Sequence, residues 1–156
     1  VQSNFERVRE FHEKFGLESP PRPTVLSDEV FLFRLQFIME ETLELLHAHR
    51  RRDLAATLDA LVDILYVTYG LGAMAGMPLD SAFQMVHAAN MRKVRASGAD
   101  DPRGRRSSAI DVVKPAGWQP ADLELLLRGC TYPDCNCTVS FPEGYRPGEA
   151  ECARFP

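Results

Sequence analysis

Four blocks of apolar residues at helical spacing fill most of the first 95 positions. In the first, Phe5, Val8, Phe11, His12 and Phe15 recur every three or four residues; Ser3 and Glu6 make a capping box at its start, and Gly16 stops it. The stretch 19–24 carries Pro20, Pro21 and Pro23, which cannot continue a helix, so an extended connector follows. Ser27 caps a second helix, with Asp28 and Glu29 suited to its first turn and Arg50, Arg51 and Arg52 to its C-terminal end. A third helix starts at Asp53 and runs to about Ala75, before Gly76. A fourth opens at Pro78 or Asp80 and extends to roughly Arg95, with Ala82, Met85, Val86 and Ala89 as its core side. The short link between the second and third makes them antiparallel neighbours. The pattern predicts an all-α fold with an antiparallel four-helix core.

The second helix breaks the usual amphipathic rule. Leu32, Leu35, Met39, Leu43 and Leu46 form one apolar stripe, while Phe33, Phe37 and Ala48 lie on another face together with Glu40 and Glu44, with Glu41 at its edge. On the third helix Asp59 and Asp63 are four apart and share a face with Ala56, Tyr66 and Gly70. A solvated acidic face belongs opposite the apolar stripe. Here the acids sit among aromatic and small residues, so the spacing predicts a helix wrapped by protein on most sides, with its carboxylates pointing inward. Two apolar faces also exceed what one small bundle buries, which predicts a homo-dimer or homo-tetramer.

Five carboxylates at close quarters repel strongly: two of them ~4 Å apart cost about 4 kcal/mol at an effective dielectric near 20. Either protons stay on, or divalent cations sit between them. Oxygen-only ligands suit Mg2+, with Mn2+ as a substitute, rather than Zn2+. The metal-ligand candidates are therefore Glu40, Glu41, Glu44, Asp59 and Asp63. A partly exposed acidic groove is the alternative reading of the same spacing.

Beyond the fourth block, 97–108 is polar and rich in Gly, Pro and Arg, which predicts a mobile loop; Arg103, Arg105 and Arg106 in it could close over phosphates. Ile110–Val113 reads as an extended piece, and Pro120 opens a short fifth helix ending near Gly129. From 130 the composition changes. All four cysteines, Cys130, Cys135, Cys137 and Cys152, lie in an irregular tail, so the chain divides into a helical domain, 1–129, and a Cys-containing tail, 130–156. A four-thiolate structural Zn2+ is chemically sensible for a tail without a core, although the single residue between Cys135 and Cys137 matches no strong zinc spacing. Unliganded thiols are the competing reading.

With 156 residues, 45% hydrophobic and 26% charged, the chain has the composition of one soluble globular domain. A net charge of −4 argues against nucleic acid as a partner. No apolar run reaches about 18 residues, so no membrane span is expected; no signal peptide is visible, and a cytoplasmic setting is expected, bacterial or virus-encoded.

The acid motif EETLE (40–44) followed by DALVD (59–63) resembles the MazG-like all-α nucleoside triphosphate pyrophosphohydrolases. That family carries two adjacent glutamates, a third three residues on, and an acid pair on the next helix. Further echoes are FHEKFG (11–16), ILYVTYG (64–70), HAANMRK (87–93) and KPAGWQPADL (114–123), so the likeness covers roughly 5–127. One departure stands out: Ala60 occupies the place of the family's second-helix glutamate, and Asp59 supplies the acid one residue earlier. The resemblance implies Mg2+-dependent hydrolysis of a (deoxy)nucleoside triphosphate to monophosphate and pyrophosphate, with guanosine or deoxyuridine nucleotides among the candidates. It implies a phosphate-binding role for Asn90 and Lys93, with Lys114 as a further phosphate candidate. Glu41, at the edge of the acid arc, is the candidate general base, and Gln36, His47, Phe37 and Trp118 are candidate neighbours of the nucleotide base, with structural roles as the alternative. Within the same scaffold, a phosphoribosyl nucleotide or another phosphate ester is the alternative substrate. A non-catalytic helical module binding a basic partner is the alternative outside enzymes.

Overall fold

In the computed structural model, the described residues are 1–104, 106, 108 and 110–129; the four cysteines and the zinc expectation attached to them lie outside these residues. The chain forms two compact units, Val1–Asp80 and the remainder from Ser81. It is mainly helical, which bears out the all-α expectation, with one pair of two-residue strands.

The first unit contains α1 (Asn4–Lys14), α2 (Asp28–Arg50) and α3 (Leu54–Met74). The capping box of α1 is present: Ser3 Oγ accepts from the Glu6 N–H, and the Glu6 carboxylate accepts from the Ser3 N–H. Phe5, Val8 and His12 are buried, whereas Phe11 and Phe15 remain partly exposed and stack on each other with centroids 4.6 Å apart. The apolar face of α1 is thus narrower than its spacing suggested. Phe5 meets Tyr69 at 5.9 Å, and Phe11 meets Tyr66 edge-on at 5.5 Å, which fixes α1 against α3.

Three residues join α2 to α3. Arg51 caps α2, Arg52 takes a left-handed conformation at φ 57, and the Asp53 side chain accepts from the Ala56 N–H to start α3. The Arg52 N–H donates to His49 and the Asp53 N–H to Ala48, closing the last turn of α2. A non-glycine residue in that conformation carries a steric penalty of about 1–2 kcal/mol. Arg52→Gly is therefore expected to raise the unfolding free energy by up to about 1 kcal/mol, read from urea melts, without affecting the carboxylates on the adjoining helices.

The expectation that protein wraps α2 requires correction for the single chain. Ala48 is its one buried residue; Leu32, Met39, Leu43 and Leu46 are exposed. Leu54, Leu58, Leu61, Val62 and Leu65 of α3 are exposed as well. The reason is simple: α2 contacts α3 along one face, α1 packs on α3, and no third element of this unit covers the other faces. α3 has the length and apolarity of a membrane-crossing helix, with mean hydropathy 1.4 over 21 residues, yet it carries Asp59 and Asp63 and packs on both α1 and α2.

α4 (Leu79–Met91) ends four residues earlier than its apolar pattern suggests. Val94–Arg95 (β1) instead pairs antiparallel with Val112–Val113 (β2), with Val94 opposite Val113. Residues of the expected 97–108 loop are organised around a buried carboxylate. Asp101 accepts from the Ser97 N–H and hydroxyl and, through both oxygens, from the backbone and guanidinium of Arg103. These bonds hold its carboxyl far below the usual range, and they pair Arg103 with Asp101 rather than leaving it a free cation. α5 (Leu123–Gly129) closes the described chain.

Candidate active site

The acids on α2 and α3 are brought to one level by the antiparallel register. A methyl group on Gly70 would strike the guanidinium of Arg34, so these two positions face each other. Seven residues on from Arg34 is Glu41, and seven back from Gly70 is Asp63. The same steps along opposed helices keep the pair level, about 10 Å along the axis from Arg34.

The electrostatics agree with this placement. Glu41 is half-buried, and its carboxyl is pushed above the usual glutamate value by burial, then by Glu44, Asp63, Glu40 and Asp59 in that order. Glu41 is thus the point where all the acids singled out in the sequence act together. Among the described residues, no ion pair neutralises any of the five. The inward-pointing expectation holds in part only: Glu41 and Asp63 are half-buried, while Glu40, Glu44 and Asp59 are exposed in the single chain.

Ala60 is buried, at 3% exposure, whereas Asp59 beside it is exposed. Shifting the acid by one residue turns it about 100° around α3, away from the contact with α2. Its effect on Glu41 is accordingly the last of the four. Two small side chains are buried along this helix pair, Ala60 on α3 and Ala48 on α2.

Among the described residues, no three acidic, histidine or cysteine side chains close around one point as a metal cage. In kind the donors fit a hard divalent cation well. They are all carboxylate oxygens, they carry no compensating cation, and their mutual repulsion adds to burial in raising the proton affinity of Glu41. Glu40, Glu41, Glu44 and Asp63 are the residues that could hold it, with Asp59 at the margin. Gln36 lies exposed on α2, one turn before Glu40.

Within the second unit itself, two cations cluster. Trp118 donates from Nε1 to the Ala89 carbonyl at 2.7 Å, which fixes its ring. Lys114 Nζ lies 4.4 Å from the ring centroid and Lys93 Nζ 5.7 Å, so one indole gathers both lysines. Neither pairs with a carboxylate among the described residues. Lys93 falls beyond the end of α4 rather than on a helical face with Asn90; its N–H donates to the Asn90 carbonyl at 3.0 Å, and the Asn90 side chain is exposed.

Sequence reasoning missed Arg34. It is a half-buried cation, its guanidinium 5.0 Å from the Phe37 ring, with Phe33 against Phe37 at 4.8 Å. A lone arginine inside the aromatic run FLFRLQF is the signal that could have found it. Beside it, His12 is 1% exposed, and burial followed by the charge of Arg34 lowers its proton affinity, against a smaller opposite pull from the Glu18 carbonyl. Burial and Arg34 together favour the neutral imidazole in the fold. Its unfolded form takes up a proton near the ordinary histidine value of about 6.5, so stability is full above that value and falls as pH drops toward the lower folded value. Urea melts from pH 7.5 to 5 are expected to show this loss, and His12→Gln to flatten it.

Against this geometry stand two comparisons. A family model described as phosphoribosyl-ATP pyrophosphohydrolase matches residues 8–90, which includes all five acids and Asn90. An uncharacterized protein of Acanthamoeba polyphaga mimivirus is 39% identical over 85 residues, covering 50% of this chain and 33% of that protein, so the chain matches about a third of the length of this relative. The family match spans more than half of the sequence and coincides with the helices that bring the carboxylates together: the chain belongs to the phosphoribosyl-ATP pyrophosphohydrolase family, within the MazG-like all-α superfamily.

Proposed function

We propose that the protein hydrolyses a (deoxy)nucleoside triphosphate between its α and β phosphates, releasing the monophosphate and pyrophosphate. The observation that carries this reading is the convergence of Glu40, Glu44, Asp59 and Asp63 on Glu41 without a neutralising cation. When bound there, Mg2+ would neutralise that charge, polarise the phosphate oxygens and acidify a water. Glu41, half-buried with exposed Glu40 and Glu44 to either side, is the residue we assign to take the proton from the attacking water. Asn90, Lys93 and Lys114 are assigned to the phosphates as charge builds on them, Trp118 holding the two lysines in place. Gln36 is assigned to the substrate on the α2 side of the acids.

The exposed leucines of α2 and α3 support a homo-oligomer, in which a second copy covers them. Leu43 at 55% and Leu58 at 64% exposure are too apolar for a solvated face of a compact protein. Light scattering at micromolar concentration is expected to give a dimer or tetramer mass, and a monomer there would count against the arrangement.

A second substrate reading has its own support, since the matching family is described by a phosphoribosyl nucleotide. The test is a panel assay for pyrophosphate release with and without Mg2+, covering the (deoxy)nucleoside triphosphates and phosphoribosyl-ATP. Release from a triphosphate of the panel, only with the metal, supports the first reading. Turnover of phosphoribosyl-ATP alone supports the second, and no release from any compound removes both.

A further inference from the structure

Arg34 Nε is a buried nitrogen in the first unit without a hydrogen-bond partner, and His12 Nδ1 makes no hydrogen bond of good geometry, although the Glu18 carbonyl pulls on the His12 ring. They belong to one cluster. A methyl at Gly70 would collide with the Arg34 guanidinium and come within 3.1 Å of His12 Nε2, so both side chains lie over the bare backbone of this glycine. No carboxylate pairs with Arg34 among the described residues, which is unusual for a cation whose burial lowers its own proton affinity. Its surroundings are aromatic. Phe37 lies under the guanidinium, and Tyr66 and Phe11 meet edge-on next to His12.

A half-buried guanidinium whose buried Nε has no partner, set among rings, matches a flat ligand that brings hydrogen-bond acceptors. The distance along α2 from Arg34 to Glu41, about 10 Å from the helical rise, is comparable to the span of an extended nucleotide from its α-phosphate to its base edge. Resting on the reading given under Proposed function, we propose that Arg34, with His12 beside it over Gly70, reads a base-edge carbonyl of the nucleotide whose phosphates lie at the carboxylates. The site thereby selects keto bases (guanine, hypoxanthine, uracil) over amino bases (adenine, cytosine). Arginine carries donors and no acceptor, so an exocyclic amine in the same place sets donor against donor. The guanidinium fork also matches the O6 and N7 pair of guanine. A site built to hydrogen-bond one group rejects the analogue that cannot pair, because its own buried donor is left unmade.

The test compares GTP with ATP and dUTP with dCTP as kcat/KM ratios, in the parent and in Arg34→Gln, whose amide offers both a donor and an acceptor. The parent is expected to favour the keto member of at least one pair by ten-fold or more. In the variant that ratio falls toward one, through lost keto turnover and not through lost amino turnover. A parent that prefers ATP and dCTP, or treats both pairs alike, overturns the proposal. So does a folded variant with an unchanged ratio, or one that weakens all four nucleotides equally, as loss of a phosphate contact would. Calorimetric binding of the α,β-methylene analogues of the same four nucleotides separates this idea from the hydrolytic one. A parent that turns over none of them, yet binds the keto analogues ten-fold more tightly, would retain the base-reading site and lose the reaction. Equal binding of all four would remove the base-reading site as well.

Discussion

Asp63→Asn is expected to remove nearly all Mg2+-dependent turnover while leaving the metal-free protein as stable as the parent or more so. The sign follows from the charge balance around Glu41. Asp63 is the second-ranked of the four carboxylates that raise its proton affinity, and among the described residues no cation offsets any of them. Replacing one oxygen by an amide nitrogen keeps the volume and removes a negative charge, so repulsion among the carboxylates of the metal-free protein falls. With metal the order reverses. A site saturated at a hundred times its dissociation constant adds about 2.7 kcal/mol to the unfolding free energy, and a variant short of one ligand gains less. Thermal melts of both proteins, with and without Mg2+, read both halves of the expectation. A variant that melts like the parent under both conditions and turns over at parental rate would take Asp63 out of the site.

Glu41→Gln is the second large effect, and it separates two roles. If Glu41 takes a proton from water, the substitution should lower kcat by about a hundred- to ten-thousand-fold, with a much smaller change in the Mg2+ concentration needed for half-maximal stabilisation. If it serves mainly as a metal ligand, both quantities should move together, as in Asp63→Asn. The half-buried position of Glu41, with Glu40 and Glu44 exposed on either side of it, is the reason for expecting the first pattern.

The fold was largely legible because its helices carry strong local signals. Ser3, Ser27 and Asp53 cap α1, α2 and α3 as their residue types require. The acid constellation was legible for the same reason: spacing of three and four on two helices joined by three residues leaves little freedom in how they meet. Where α4 ends was not legible, since no Gly or Pro separates Val94 and Arg95 from the helical block, yet they are drawn into a strand by Val112 and Val113, distant in sequence. Nor was the fate of Arg103, which depends on a turn that buries Asp101 two residues away. Burial of the acids was misjudged because periodicity reports which residues share a face, not whether another element arrives to cover it. Arg34 went unnoticed because its meaning comes from His12 and Gly70, brought to it from two other helices.

Identification of the phosphorus products bears most directly on the central claim. The purified protein is incubated with Mg2+ and the best-used triphosphate of the panel, and the mixture is followed by phosphorus NMR. The account predicts one nucleoside monophosphate and one pyrophosphate per substrate consumed, and no reaction once the metal is chelated. Orthophosphate with a nucleoside diphosphate, or products that form equally without metal, would contradict it.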